Sequence, residues 1–396
     1  MPPNTDSSTA DRYDRFDGEN VESSRPRTSG FSRWTGFLVT TVALALIAGY
    51  ERLLRPEAFL EWWEPTPTDW LFYVSLLVFV WFVVVPAWTK REQTAVFWRR
   101  IRNDPIALGC FTYLVVIFVA GTIGTAILPH VRPPIGESYQ PSIFAPASVD
   151  VTGDCAGRTY GGYCFGTLTY PFGTDQIGRS IFHRTIEGSR VALQITFIVS
   201  MISVPIAIAV GTVSGYTGGW IDTVSMRYVD VQQTVPAFLI YLILSYVFGR
   251  SLFLFVLVFG LLSWGAVARI VRSEVLQLRE RQYVDAARSY GVGRVAIIRR
   301  HLIPNLSGTV LTAFSQAIAW IILVEAALAF LGLTTGPFES WGHVITSGFQ
   351  LESNFVDHWW VMTLPGVVLM LTVVSFAVIG DRLRDVSDPR LRGTLP

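Results

Sequence analysis

Long apolar stretches separated by short polar segments run through most of this chain. A membrane-spanning helix needs about 20 predominantly apolar residues, and eight stretches approach or reach that length. They cover residues 34–50, 70–88, 106–128, 191–216, 234–248, 252–270, 310–333 and 359–380. Only Gly249, Arg250 and Ser251 separate the fifth stretch from the sixth, which predicts a tight turn between antiparallel helices. The pattern predicts an all-α integral membrane protein, a polytopic helix bundle of about eight spans.

The distribution of arginine predicts which helix ends face the cytoplasm. Positive residues collect on the cytoplasmic side of membrane helices, and here they concentrate in segments 89–105 and 271–306 and in the C-terminal tail. Eight spans that start from an inside N-terminus place these segments and both termini on the cytoplasmic side. The acidic 51–69 loop and the 130–190 loop then lie outside. We therefore expect a multi-pass protein of the cell membrane.

The chain divides into four parts on this basis. Residues 1–33 are polar, lack the apolar core of a signal peptide and are typical of a disordered cytoplasmic tail. Residues 34–88 form a predicted transmembrane hairpin, and residues 89–190 hold the next helix with a long extracytoplasmic loop. Residues 191–396 form a five-helix block with a polar insert at 273–305.

Composition excludes several classes of function. Charged residues make up 15% of the chain, whereas soluble domains are about 25% charged. Lys90 is the only lysine and follows Thr89, so the Gly-Lys-Ser/Thr of a phosphate-binding P-loop is absent. We expect no ATP hydrolysis by this chain and no bound cofactor. A net charge of +1 gives no basis for binding nucleic acid, and the histidines are too scattered for a metal site.

The polar insert between the sixth and seventh stretches carries the most specific local pattern. Residues 273–290 contain good helix formers at helical spacing and predict one helix. Gly291 suits the left-handed position that ends a helix. A second short helix is predicted over 294–301, because Pro304 prevents its continuation.

Three interpretations of this insert compete. An ordinary solvated loop seldom contains two helices punctuated in this way. A DNA-reading helix-turn-helix has a similar order of small, glycine and basic positions, but the adjoining spans begin so close on both sides that no duplex would fit. A docking hairpin for another protein explains the pattern best, because small Ala286 and Ala287 let a partner backbone approach and Asp285 offers a carboxylate beside them.

The residues Asp285, Ala286, Ala287 and Gly291, with the later Ile303-Pro304 pair, resemble the signature loop of binding-protein-dependent ABC transporter permeases. That loop has Glu-Ala-Ala, then a glycine, then Leu-Pro. This chain therefore carries Asp in place of Glu and Ile in place of Leu. The shorter Asp side chain would alter any ion pair that the loop makes with its partner.

Further motifs in the family's order extend the resemblance over about residues 106–392. They lie at 171–179, 222–230, 325–332 and 380–385. Together they resemble the dipeptide and oligopeptide branch of the family, in particular its second permease type with a shorter loop. The usual plan of these permeases has a six-helix core, so the hairpin at 34–88 would be an addition whose function the resemblance does not explain.

The resemblance implies the permease subunit of an ATP-driven importer of dipeptides or oligopeptides in the lipid bilayer. Its partners would be a second homologous permease, two ABC ATPase subunits and an extracytoplasmic substrate-binding protein. The expected ATPase-docking residues are Tyr283, Asp285, Ala286, Ala287, Gly291, His301, Pro304 and Asn305. The expected residues of an outer gate or lip are Thr174, Asp175, Gly178 and Arg179.

Three points stay open from the sequence. Glu325 lies within a span, where a carboxylate is costly and often functional, although a structural partner across the bundle is the simpler explanation. Cys155 and Cys164 flank a Gly-rich turn and form either a disulfide or two unpaired thiols. Asp175 and Arg179 are four residues apart and would pair if they lay on a helix.

Rival functions make different demands on the sequence. The same architecture could import nickel or another small solute. A gradient-driven secondary transporter would need no ATPase and usually shows an inverted repeat, which we do not find. A membrane-embedded enzyme would need clustered catalytic groups at one depth, whereas the spans contain isolated polar residues. We therefore nominate no catalytic residue.

Overall fold

The computed structural model describes residues 30–54, 66–89, 91–127, 136–336, 338–349 and 358–387. The chain divides into two units at Leu54, and the described residues of the first unit are 30–54. The predicted disordered tail lies outside the described residues as far as residue 29. In the small unit, helix α1 covers Gly30–Leu54, and its apolar part, Thr35–Tyr50, is shorter than a full span.

The large unit is built mainly from helices. Its first part contains α2 (Pro67–Phe79), a π-helical turn (Val80–Val84), α3 (Val85–Thr89), α4 (Arg91–Asn103), α5 (Pro105–Val119), a second π-helical turn (Ala120–Gly124) and α6 (Thr125–Ile127). Its second part contains α7 (Ile181–Thr217), α8 (Gly219–Thr234), α9 (Ala237–Phe248), α10 (Leu252–Leu262), α11 (Gly265–Leu278), α12 (Gln282–Ser289), α13 (Arg294–Ile297), α14 (Ser307–Phe330), α15 (Trp341–Phe349) and α16 (Trp360–Ser387).

Six helical stretches of the described chain are long and apolar enough to cross a bilayer. They are Pro67–Thr89, Pro105–Ile127, Ile181–Thr217, Leu252–Leu278, Ser307–Phe330 and Trp360–Leu383. The helices α8 and α9 form a further pair that bends by 65°. The predicted count of eight spans is therefore not confirmed, because α1 and α9 each have too short an apolar stretch to count alone. The predicted hairpin at 34–88 stays a prediction, since residues 55–65 lie outside the described chain.

Two predicted boundaries are wrong. Helix α7 begins at Ile181 and runs for 37 residues, whereas the apolar pattern placed its start at 191. Its first turns are polar but are buried by distant segments, which the apolar pattern does not register. The span predicted at 234–248 contains Pro236, whose extended ψ of 122° separates α8 from α9.

Capping side chains fix where helices α2 and α5 begin. Thr66 and Asp69 form a reciprocal capping box, in which each side chain accepts a hydrogen bond from the other residue's N–H. Asp104 accepts from two N–H groups in the first turn of α5. Its second carboxylate oxygen lies 2.8 Å from Arg382 Nη2 of α16, so the same residue starts one helix and ties it to another.

A first buried apolar cluster joins α2 to the main bundle. It brings together Phe72 of α2, Ile198 of α7, Phe255 of α10 and Ile322 of α14. The second helix of the predicted N-terminal hairpin is therefore part of the main core rather than a peripheral addition.

A second buried cluster joins α7 and α11 to the segment that follows α11. Close helix contact makes this packing tight, because a Cβ at Gly211 of α7 would lie 2.6 Å from the Ala268 carbonyl oxygen of α11. A backbone approach of this kind needs a residue without a side chain. The segment after α11 thus rests on two helices that are themselves in close contact.

Residues 136–180 form a compact loop, which we call the disulfide loop. It contains three short antiparallel strands in the order β1–β3–β2: β1 is Ala147–Ser148, β2 is Thr159–Tyr160 and β3 is Tyr163–Cys164. Cys155 and Cys164 are joined by a disulfide. The loop packs against the start of α16, where Trp360 Nε1 donates to the Thr174 carbonyl oxygen at 3.4 Å.

Candidate functional site

The segment from residue 279 to 305, which we call the basic hairpin, connects α11 to α14. Helix α11 ends at Leu278, and Arg279 Nη1 then donates to the Gly215 carbonyl oxygen of α7 at 3.1 Å. A turn follows, and α12 starts at Gln282. The prediction of one helix over 273–290 is therefore wrong. The break coincides with a contact to α7, which local helix propensity does not register.

Gly291 ends α12 as the sequence predicts. Its φ is +75°, a conformation that costs glycine little and other residues more. Its N–H donates to the Arg288 carbonyl oxygen at 2.9 Å, and the Val292 N–H donates to the Ala287 carbonyl oxygen at 3.1 Å. These two hydrogen bonds form a Schellman motif. The chain then reverses into α13, a π-helical turn (Ile298–Leu302) and a 3₁₀ turn (Ile303–Asn305).

One face of the basic hairpin is buried in the second apolar cluster. Its buried apolar side chains are Val284, Ala287, Ile297 and Leu302, and they join Val271 and Val275 of α11 in that cluster. Both alanines were expected to let a partner backbone approach, which stays a prediction, and the Ala287 side chain is buried within the chain. Ala286, next to it, is exposed.

The opposite face of the basic hairpin is exposed and carries aromatic, apolar and basic groups. Tyr290 is 89% exposed and Val295 is 77% exposed. Arg294, Arg299 and Arg300 line an open concavity of about 770 Å³ on this face. Exposed apolar residues beside arginines are typical of protein interfaces, so this face is suited to bind another protein.

The remaining predicted docking residues lie at the edges of this surface. Tyr283 and His301 bring their ring centroids within 6.2 Å. Asp285 lies 3.4 Å from Arg288 Nη1. Asn305 Nδ2 donates to the His301 carbonyl oxygen at 2.6 Å, and Pro304 lies in the adjoining 3₁₀ turn. The structure therefore brings the predicted residues onto one hairpin, with Asn305 and Pro304 shaping its end.

Ion pairs attach α8 to α11 just before the basic hairpin. Arg272 donates to both carboxylate oxygens of Asp222, at 2.5 and 2.6 Å, which is the bidentate geometry that arginine favours. Arg269 pairs with Asp230. These contacts hold α8 and α11 in a fixed relation at the base of the hairpin.

Four charged side chains meet where the disulfide loop reaches α7 and α15. Asp175 Oδ2 lies 2.8 Å from Arg179 Nε and 2.9 Å from Arg184 Nη1. Glu339 Oε1 lies 2.6 Å from Arg179 Nη1, and its other oxygen accepts from Arg184 Nε. The expected contact between Asp175 and Arg179 is present, but it lies in a turn closed between Thr174 and Ser180 rather than on a helix.

Opposite charges decide the ionisation of the outermost members of this ion network. Burial would raise the pKa of Glu339, but Arg184 and Arg179 outweigh it and hold that pKa below its ordinary value. Burial would lower the pKa of Arg179, but Glu339 and Asp175 outweigh it and raise that pKa. Both groups therefore stay charged at neutral pH.

Thr174 and Gly178, the other two residues expected at an outer lip, stabilise and shape the local fold of the loop. The Thr174 side chain is buried, where it accepts from the Gln140 N–H at 2.8 Å and donates to the Glu137 carbonyl oxygen at 2.9 Å. Gly178 has a φ of +82° and lets the chain turn between Asp175 and Arg179. These residues shape the turn that presents the charged pair.

Glu325 of α14 lies at a small pocket near the ion network. Its side chain is buried, and Thr334 Oγ1 donates to its Oε1 at 3.2 Å. The pocket has a volume of about 240 Å³ and is lined also by Ser340, Phe338 and Glu339. Within the described part of the chain, no three His, Cys, Asp or Glu side chains lie close enough to hold a metal ion.

Asp69 of α2 forms a second buried ionic contact, with α7. Its Oδ1 lies 2.8 Å from Arg190 Nη2 and accepts from Gln194 Nε2 at 2.9 Å. Arg190 also lies over the Phe338 ring, 4.5 Å from the centroid. Phe338 lines the Glu325 pocket. Asp69 of α2 therefore contacts Arg190 of α7, which in turn contacts a residue of the pocket wall.

Sequence reasoning missed Arg184, Glu339 and the pair formed by Asp69 and Arg190. Asp69 was assigned to an outside loop, and Arg184 fell outside the apolar stretch that marked α7. A usable signal was present for Asp69, because Thr66 and Asp69 have the spacing of a capping box and place Asp69 inside a helix. The sequence gives no such signal for Glu339, because its partners Arg184 and Arg179 lie 155 and 160 residues away in the chain.

Comparison with known proteins shows what this chain resembles. Residues 204–393 match the family described as binding-protein-dependent transport system inner membrane component. The dipeptide transport system permease protein DppC of Bacillus subtilis (strain 168) is 33% identical over 298 residues, which cover 74% of this chain and 85% of that protein. The oligopeptide transport system permease protein OppC of Haemophilus influenzae is 38% identical over 239 residues, which cover 60% of this chain and 74% of that protein.

One solved structure also aligns with the chain. It is an inward-facing conformation of the MetNI methionine ABC transporter, with a TM-score of 0.43 and 18% sequence identity. The alignment covers 51% of this chain and 96% of that chain.

Proposed function

Since this chain belongs to the family of binding-protein-dependent transport system inner membrane components, we propose that it is the permease subunit of an ATP-driven importer whose cargo is dipeptides or oligopeptides. The peptide cargo is supported by relatives that are named as dipeptide and oligopeptide permeases. The chain would form part of the translocation path, with a second homologous permease completing it. Two ABC ATPases would supply the energy, and an extracytoplasmic binding protein would deliver the cargo.

The basic hairpin is the observation that carries this proposal. Four apolar side chains anchor it in the core, while Tyr290, Val295 and the arginines around them stay exposed. A surface that is anchored on one face and open on the other can receive a force from a partner. We assign it the role of ATPase docking site.

Movement of the hairpin would reach the membrane helices through direct packing. Val284 and Ile297 pack in one cluster with Val271 of α11, and α11 crosses α7 closely at Gly211. Asp222 and Arg272 extend the connection to α8. A partner that binds two positions of the hairpin with different affinity would therefore shift the helices between two arrangements.

The proposed orientation places the basic hairpin in the cytoplasm and the disulfide loop outside the cell membrane. The arginine-rich segments support this sidedness. The disulfide between Cys155 and Cys164 is also in keeping with an oxidising compartment.

The test of docking uses exposed residues, because their replacement leaves the core intact. Val295→Asp places a charge on the proposed interface, and Tyr160→Asp is the matched control at a position that is 81% exposed in the disulfide loop. We expect Val295→Asp to insert normally but to lose co-purification of the ATPases and peptide uptake. The control should retain both. Normal uptake in Val295→Asp would refute the docking role.

Gly291→Val tests the geometry of the same hairpin. A β-branched residue at a φ of +75° introduces backbone strain of roughly 1–3 kcal/mol and should disturb the reversal between α12 and α13. Gly161→Val is matched, because Gly161 has a φ of +59° in an open turn of the disulfide loop. We expect the first variant alone to uncouple ATP hydrolysis from uptake. Equal loss in both variants would mean that backbone strain, not docking, causes the defect.

The cargo can be identified by measuring uptake into cells that lack their own peptide importers. The complete importer should accumulate labelled dipeptides or oligopeptides but not nickel. Accumulation of nickel alone would assign the same architecture to metal import. Peptide uptake that persists without the ATPases would instead indicate a gradient-driven carrier.

A further inference from the structure

We propose that the pocket at Glu325 binds a primary ammonium group, and that the amino terminus of the peptide cargo supplies it. This inference rests on the proposed function, because it assigns part of the chain to recognition of that cargo. It concerns a site near the disulfide loop, toward the opposite end of α14 from the basic hairpin.

A buried carboxyl group without a positive partner lies at this pocket. The Glu325 side chain is 4% exposed, and its hydrogen bond comes from the neutral hydroxyl of Thr334. None of the ion pairs among the described residues includes Glu325. A carboxylate inside a span is costly and is usually paired or faces a polar cavity. Here it lies at such a cavity, which leaves room for a cation from outside the chain.

Ser340 adds a second polar group to the pocket. It lies beside the Glu325 carboxyl group, within reach of its oxygens, and lines the same pocket, and it is 6% exposed. No other protein group satisfies its hydroxyl. A hydroxyl that donates to the carboxyl group keeps lone pairs that can accept from a ligand. A carboxylate and a hydroxyl together offer the acceptors that an ammonium group with three N–H donors needs.

The size of the pocket selects the end of a peptide rather than the whole of it. Its volume is about 240 Å³, below the range of about 300–1,000 Å³ that is usual for drug-sized ligands. Val191, Leu252 and Phe338 supply an apolar wall. The polar part would take the amino group, and the apolar wall would take the first side chain of the peptide.

His343 also lines the pocket, where it interacts electrostatically with Glu339, and the charged groups around the pocket are paired. Glu339 at the pocket's rim pairs with Arg179 and Arg184. Arg190 lies over the Phe338 ring, but its charge is matched by Asp69 at 2.8 Å. Glu325 is thus the one carboxylate of the pocket lining, as the structure describes it, that has no positive partner.

Photo-crosslinking to the purified complete importer tests the proposal. The importer is placed without its binding protein in nanodiscs of phosphatidylcholine and phosphatidylglycerol. The probe is a dipeptide with photo-leucine at its first position, either with a free amino terminus or N-acetylated. We expect the free dipeptide to label this chain at the wall near Val191, Leu252 or Phe338. Acetylation should reduce labelling at least about tenfold, as expected when a charge-assisted hydrogen bond is lost.

Two variants and one control complete the test. Glu325→Gln keeps the size of the side chain but removes its charge, and should lower labelling to the acetylated level. Ser340→Ala should lower it less, and it provides a second reading if Glu325→Gln is poorly folded. Asp150→Asn, an exposed carboxylate of the disulfide loop, should leave labelling unchanged. Labelling that ignores both acetylation and Glu325→Gln, or that maps outside the pocket, would overturn the proposal.

Two further measurements complete the test. One distinguishes a peptide from a lipid as the source of the ammonium group, and the other distinguishes failure of this proposal from failure of the proposed function. If added phosphatidylethanolamine, which carries the same group, abolishes labelling, the pocket holds a lipid headgroup and the cargo assignment is wrong. Peptide uptake by the wild-type importer together with absent pocket labelling would overturn this inference alone. Absence of peptide uptake would overturn the proposed function.

Discussion

Arg184 and Arg179 contact the same two carboxylates, Asp175 and Glu339, yet they differ sharply in burial. The Arg184 side chain is 4% exposed and the Arg179 side chain is 36% exposed. Replacing each by methionine removes the same charge and keeps a long, flexible side chain. The pair of variants therefore compares a buried with a partly exposed arginine on the same carboxylates, with one additional neutral hydrogen bond from Arg184 to Ser347 Oγ at 3.0 Å.

The expected costs follow from what each variant leaves behind. Loss of one partner from a buried pair costs about 3–5 kcal/mol, whereas exposed pairs contribute about 1 kcal/mol or less. After Arg184→Met, Asp175 keeps Arg179 at 2.8 Å and two backbone N–H donors, which places the cost near the lower limit. We therefore expect Arg184→Met to cost about 2 kcal/mol more than Arg179→Met.

Thermal aggregation of the purified importer measures this difference. Arg184→Met should aggregate at a clearly lower temperature than Arg179→Met, because the larger loss of stability lowers the midpoint further. The scan rate must be the same for both, because such unfolding is irreversible. Equal midpoints, or a lower midpoint for Arg179→Met, would refute the reasoning that burial sets the contribution of this network.

Three further predictions concern other parts of the fold. Cys155→Ser removes a crosslink that spans nine residues and should cost about 3 kcal/mol of loop stability, measured as faster protease cleavage of the disulfide loop with the helices intact. The pKa of Glu339 lies below its ordinary value of 4.5. The ionised carboxylate therefore stabilises the fold fully above pH 4.5, and this stabilisation is lost as the pH falls through the lowered pKa. In Glu339→Gln, the temperature of thermal aggregation should fall less steeply with acid than in the wild type. Gly211→Leu would place a Cβ 2.6 Å from the Ala268 carbonyl oxygen and should destabilise by at least about 1–3 kcal/mol, whereas Gly109→Leu, which has open space, should yield normal amounts of folded protein.

Features with a local cause were predictable from the sequence. Apolar stretches mark most of the long helices because lipid-compatible length is a property of the stretch itself. Gly291 was also predictable as a helix end from a local cause. A helix often ends at a residue in the left-handed conformation, which glycine adopts at little cost. The start of α9 after Pro236 could have been predicted, because proline favours the first turn of a helix and disfavours its interior.

Features that depend on distant partners were not predictable. The polar start of α7 is helical and buried because Arg184 meets Glu339, 155 residues later. Ala286 and Ala287 are identical in sequence terms, yet only Ala287 packs against the core. The helical spacing from Val284 favours Ala287 as the inward-facing alanine, but the depth to which that face is buried depends on the helices that α12 packs against.

The Asp69–Arg190 pair has a consequence for how the protein is made. Asp69 Oδ2 has its hydrogen bonds as soon as α2 forms, because it accepts from the N–H and the hydroxyl of the nearby Thr66 at 3.0 and 2.7 Å. Its Oδ1 depends on Arg190, which lies 121 residues later in the chain. At a synthesis rate of about 5–20 residues per second, about 6–24 s pass before that arginine is made. During this interval the capping box shields one oxygen of the aspartate, and α2 can complete its docking only when α7 arrives.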